Sequence, residues 1–143
     1  MKTIEKRGRR KFLKNSAVAS AITILPSSVW ASKIAPSDRI NVALIGCRNM
    51  GFGILKHHLS FDDTRCVAMC DVDKNVLNER AAEIKKDFNQ TPLLYEDYRK
   101  MLENKDIHVV IIGTADHWHC LQLVHSVQAG KDVYVEKPHS HNI

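Results

Sequence analysis

Three short stretches of this chain combine residue types and spacings that could do chemistry. The first, residues 40–53, reads INVALIGCRNMGFG: an apolar run, Ile40–Ile45, followed by Gly46, Cys47, Arg48, Asn49, Met50 and Gly51. A buried strand entering a glycine turn and then a helix is how a dinucleotide pyrophosphate is held, because glycine lets backbone come close and the helix start offers free amides. Gly46 and Gly51 occupy the first and third positions of G-x-G-x-x-G, and Arg48 stands at the second. A Cβ there crowds the approach to the phosphates, whereas a guanidinium could supply charge in place of the backbone contact. No Gly-Lys-Ser/Thr follows, which excludes a Walker-type phosphate loop.

The second stretch is TRCVAMCDVDK. Its Asp71 lies twenty residues beyond Gly51, where a carboxylate accepts hydrogen bonds from the adenosine ribose. Capping the next helix is the competing role for Asp71. Asp71 and Asp73 together repel a 2′-phosphate, which favours NAD over NADP, and Lys74 is the residue that argues the other way. The third set, GTADHWH at 113–119 and YVEKP at 134–138, follows two further apolar runs. Both segments therefore fall at the carboxyl ends of strands, where such sheets bind ligands. The histidines and Cys120 lack the paired i, i+3 or i+4 spacing of a zinc site, as do His139 and His141, so no metal is expected.

The elements that must position these residues are legible from the alternation of apolar runs with helical patterns. The runs INVALI, TRCVAMCD, PLLYED, HVVIIGT and KDVYVEKP read as strands, and 51–59, 76–88, 98–104 and 118–129 as helices, the last closed by Gly130. Strands apolar on both faces and alternating with helices make an α/β fold, a doubly wound parallel sheet of order 3-2-1-4-5. Cys66 and Cys70 fall on one face of one strand, about 13 Å apart by its rise, too far for a disulfide. All four cysteines, Cys47 and Cys120 included, read as small, mostly buried apolar residues.

The net charge of +5 does not mark a nucleic-acid surface, because it is concentrated at one end. Lys2, Lys6, Arg7, Arg9, Arg10, Lys11 and Lys14 against Glu5 give +6, which leaves −1 for the rest. Behind that basic head comes an apolar run of about ten residues, half of a bilayer span, then Pro26 and small residues to Ala31. This is the layout of an export signal. RRKFLK, residues 9–14, fits the twin-arginine pattern, so residues 1–31 read as a signal, 32–37 as a linker and 38–143 as the folded domain. The expected location is periplasmic or exported, with the twin-arginine translocase as a transient partner.

With these motifs in place, residues 38–143 resemble the N-terminal NAD-binding domain of the Gfo/Idh/MocA oxidoreductases, the glucose-fructose oxidoreductase and inositol dehydrogenase family. EKP following AGKDVYV is the most specific element of the likeness. The resemblance implies a two-domain enzyme that passes hydride between NAD(P) and a ring carbon of a sugar or cyclitol. It implies that Lys137 contacts the reacting hydroxyl and assists its proton transfer, with Glu136 beside it at the nicotinamide end. A lysine suits this task, since it polarises a hydroxyl and its pKa responds to burial. Thr114 and His119 match the family's T-P-N-x-x-H, from which Ala115 and Asp116 depart.

Family enzymes continue into a second domain that closes the substrate site, so this chain reads as the cofactor half, truncated after EKP and inactive alone. An oligomer of the full-length enzyme stays open. Two other readings compete: relatives that use NAD transiently to cleave glycosides without net redox change, and a non-catalytic remnant. For the signal, Arg9→Lys with Arg10→Lys should hold the protein in the cytoplasm, checked by periplasmic recovery; equal recovery of both forms would refute the twin-arginine route.

Overall fold

A computed structural model describes Ala35 and residues 38–138; the signal, most of the linker, and His139 and His141 lie outside the described residues. Five strands alternate with four helices: β1 Ile40–Ile45, α1 Asn49–His58, β2 Thr64–Cys70, α2 Lys74–Phe88, β3 Leu93–Tyr95, α3 Tyr98–Leu102, β4 Val109–Ile112, α4 Asp116–Gln128 and β5 Asp132–Val135. The sheet order is β3-β2-β1-β4-β5 and every pair is parallel, as the apolar pattern predicts. The helices begin about two residues earlier than the pattern suggests at 49, 74 and 116, because polar residues fill their exposed first turns.

Strand β1 is central and explains the two-layer core. Val42 and Leu44 face α1 and α2, joining Phe52, Leu55, Met69, Leu77 and Ile84. Ala43 and Ile45 face the other way, joining Tyr98, Met101, Leu102, Val110 and Ile112. This is the period-two alternation of a strand covered on both sides.

Cys66 and Cys70 do not share a face of β2, contrary to the sequence pattern. The β1–β2 register shifts between Val42 and Ala43, so Val42 pairs with Cys66 but Ala43 with Ala68. The extra residue, Val67, turns Cys66 and Cys70 onto opposite faces rather than the same one. The Gln90 side-chain oxygen accepts from the Cys66 N–H at 2.8 Å beside the irregularity.

Three glycines join the elements that carry the first and third motifs. Gly46, at φ +88°, has room for no side chain: a Cβ would lie 2.8 Å from the Gly113 carbonyl and the Thr114 nitrogen. A Cβ on Gly51 would overlap the Gly46 carbonyl oxygen, and one on Gly113 would overlap Gly51. The end of β1, the start of α1 and the end of β4 therefore touch backbone to backbone. Gly53, two residues further along α1, faces open space. Gly51→Ala and Gly113→Ala should each lower stability by about 1–3 kcal/mol or more, whereas Gly53→Ala should raise it by about 0.5–1 kcal/mol. Denaturant unfolding of the three variants checks the contrast.

Candidate functional site

At the carboxyl ends of the strands lies a cleft of about 860 Å³. Gly46, Arg48, Asn49 and Met50 line it from the first motif, Asp71 and Val72 from the end of β2, Gly113 and Thr114 from the end of β4, and Trp118 from α4. The sheet geometry thus brings together motifs that are far apart in sequence.

Asp71 is held in a defined orientation. Its Oδ2 accepts from the Cys47 N–H at 2.8 Å and its Oδ1 from the Asp73 N–H at 3.0 Å. Two amides tie the carboxylate to the glycine loop and to the next turn, leaving lone pairs for hydroxyl donors. The competing role belongs to Asp73, whose Oδ1 accepts from the Asn75 and Val76 N–H groups and caps α2. The other Asp73 oxygen receives Arg48 Nη2 at 2.7 Å. Arg48 is thereby turned along the loop toward the β2 end.

No side chain caps α1, whose N-cap is Arg48. Its first-turn amides have no intrahelical partner, and Asn49 and Met50 line the cleft. Cys47 contributes differently from its neighbours: its amide serves Asp71, and its side chain is buried with Sγ 3.5 Å from the Cys70 carbonyl.

Beyond β4, Thr114 Oγ1 donates to the Gln122 side-chain oxygen at 2.7 Å. His119 is buried rather than exposed to the cleft, with Nε2 and Nδ1 each 2.9 Å from the carbonyl oxygens of Thr114 and Pro138. It ties the loop after β4 to the loop after β5. The Glu136 N–H donates to the Ile112 carbonyl at 3.1 Å, which sets the end of β5 beside the end of β4, and Lys137 is exposed one residue further. Trp118, in the first turn of α4, is 42% exposed and lines the cleft. Gln122 stands outside every motif in the sequence, and for Gly113, which opens GTADHWH, the close packing against Gly51 had no local signal.

A backbone cradle that excludes Cβ atoms, an uncapped helix start and an oriented carboxylate in one cleft fit a nicotinamide dinucleotide. The fold and site define an NAD-binding Rossmann domain. A family model described as "Oxidoreductase family, NAD-binding Rossmann fold" matches residues 40–143, and the chain belongs to that Gfo/Idh/MocA family. It is 30% identical to a glycosyl hydrolase family 109 protein of Shewanella pealeana over 93% of this chain and 34% of that protein. Among solved structures it is similar to an NAD binding oxidoreductase of Klebsiella pneumoniae, with 27% identity, TM-score 0.61 and coverage of 73% of this chain and 28% of that one. The myo-inositol dehydrogenase of Lactobacillus casei, solved with NAD(H) and myo-inositol, shares the fold at 21% identity, TM-score 0.64 and coverage of 71% and 29%. The chain spans about a third of the curated relatives it matches.

The thiols beneath the cleft are shielded. Burial is the first cause in each case: it pushes Cys66 and Cys70 up to about 12 and Cys47 higher still, where the neighbouring Asp71 charge adds to it. Cys120 is exposed, contrary to its sequence reading, because its helix turns that side to solvent; all four cysteines are free. A folded-state pKa above the unfolded value stabilises the fold fully below the unfolded pKa and is lost as pH rises through about 9 toward about 12. An aromatic disulfide reagent at pH 8 should label one thiol in the native protein and four after denaturation. Cys120→Ser should abolish the native reaction, and stability should decline above pH 9.

Proposed function

We propose that the chain is the cofactor half of an exported oxidoreductase that moves hydride between NAD and a ring carbon of a sugar or cyclitol. The observation that carries this reading is the convergence on one cleft of the oriented Asp71 carboxylate, the uncapped start of α1 and the loop after β4, with the end of β5 hydrogen-bonded beside the end of β4. Asp71 would accept the ribose hydroxyls, the amides of Asn49 and Met50 would face the pyrophosphate, and Thr114 would border the nicotinamide end. Bound NAD supplies the hydride acceptor. Lys137, beside Glu136 at the end of β5, would hold the substrate hydroxyl and take its proton as the carbonyl forms. His119 would keep the loop bearing Lys137 in register with Thr114.

The likeness to glycosyl hydrolase family 109 proteins supports a second reading, in which a sugar is oxidised transiently, a glycosidic bond is cleaved and the hydride returns. The two differ in one readout: a dehydrogenase accumulates NADH, whereas the hydrolase releases sugar without net NADH. The twin-arginine motif supports export in either case.

The test is the full-length protein offered NAD with a panel of sugars, cyclitols and chromogenic glycosides. Lys137→Ala should lower kcat by about 10²- to 10⁴-fold with NAD affinity unchanged. Asp71→Ala should cost about 1–3 kcal/mol of NAD affinity, measured by calorimetry. Full turnover by Lys137→Ala would remove the lysine from the chemistry, and the absence of NAD dependence would end both readings.

A further inference from the structure

The ribose end of the cleft is bordered by three cations, and each is taken by a carboxylate. Arg48 Nη2 lies 2.7 Å from Asp73, Lys74 Nζ 3.0 Å from Glu96 and Arg99 Nη1 3.5 Å from Asp97. Asp71 differs from these acids, since its two oxygens are met by backbone amides. Arg48, Asp71, Glu96, Asp97 and Arg99 all line the cleft, and just beyond Asp71 stand Asp73, which caps α2, and Lys74, which opens it.

We propose that this pairing sets the choice of cofactor: the cations that a 2′-phosphate needs are present at the ribose corner but engaged, and the carboxylates there outnumber them. Arginine or lysine beside the ribose is what receives a 2′-phosphate in NADP-binding sites of this fold. Such a phosphate brings close to two negative charges. Here it would meet Asp71, and to gain a partner it would have to displace Asp73 from Arg48 or Glu96 from Lys74. NAD presents hydroxyls instead, which Asp71 accepts while every ion pair stays closed. Lys74, the residue that argued for NADP in the sequence, is thereby neutralised by a glutamate from the loop after β3. Arg48 at the second glycine position acquires a role: with Asp73 it bridges the glycine loop to the cap of α2.

The inference rests on the NAD site described above and is separable from it. Asp73→Asn keeps the α2 cap, because asparagine caps as well as aspartate, and removes the charge that holds Arg48. Glu96→Gln, at an exposed position outside every helix and strand, releases Lys74 and keeps the test open should Asp73→Asn fail to fold. Calorimetric titration with NAD and with NADP, at low and at high salt, should show the ratio of Kd for NADP to Kd for NAD falling about tenfold or more in the double variant, and by less in either single variant. The salt dependence should reverse: screening helps NADP in the wild type, where carboxylates are in excess, and hinders it in the double variant, where cations are. Arg48→Met added to Asp73→Asn should erase the gain that Asp73→Asn brings. Retained NAD binding with an unchanged ratio, or a gain that persists without Arg48, overturns the proposal. A wild-type protein that binds neither cofactor overturns the site beneath it.

Discussion

The structure depends on the backbone contact among Gly46, Gly51 and Gly113. With no Cβ at any of the three, the end of β1, the first turn of α1 and the end of β4 close on one another. This contact sets the helix start at the mouth of the sheet and places the loop after β4 against the loop after β1. A methyl group at Gly51 or Gly113 would drive apart the elements that carry the uncapped α1 amides and Thr114. The site is therefore held by main chain, which leaves its bordering side chains free to vary.

Charge at the rim is organised around two aspartates with divided roles. Asp71 spends its hydrogen bonds on the Cys47 and Asp73 amides and keeps its charge directed at the cleft. Asp73 caps α2 with one oxygen and binds Arg48 with the other. A carboxylate held by amides is an acceptor for hydroxyls, whereas one held by a guanidinium mainly orients its partner. The same division explains where the arginine side chain goes at a position usually occupied by glycine: it runs along the loop to Asp73.

His119 extends this logic to the other end of the cleft. Its ring spans two carbonyls on separate loops, so the segment bearing Lys137 is tied to the loop bearing Thr114. Side chains that act through such bridges are hard to recognise in a sequence, where a histidine near a site suggests direct contact. Trp118 and Cys120 show the same difficulty. Their exposure depends on which side of α4 meets the sheet, and the weak amphipathicity of that helix gives little indication.

By itself, the sequence determined the class of fold, the strand order and the identity of the cofactor. Each rests on local features: apolar runs of strand length, helical periodicity between them, the handedness of crossovers, and a glycine turn with an acid at a set distance. The opposite facing of Cys66 and Cys70 was not legible, because one extra residue in β2 is visible only in its pairing with β1. Nor was the close packing of Gly113, a residue far from Gly46 and Gly51 in the chain. Which aspartate caps and which faces the cleft, and which acids take Arg48 and Lys74, were likewise decided by tertiary structure. Those partners come from different elements, and a hydrogen bond or ion pair requires approach within about 3 Å, which only the assembled sheet supplies.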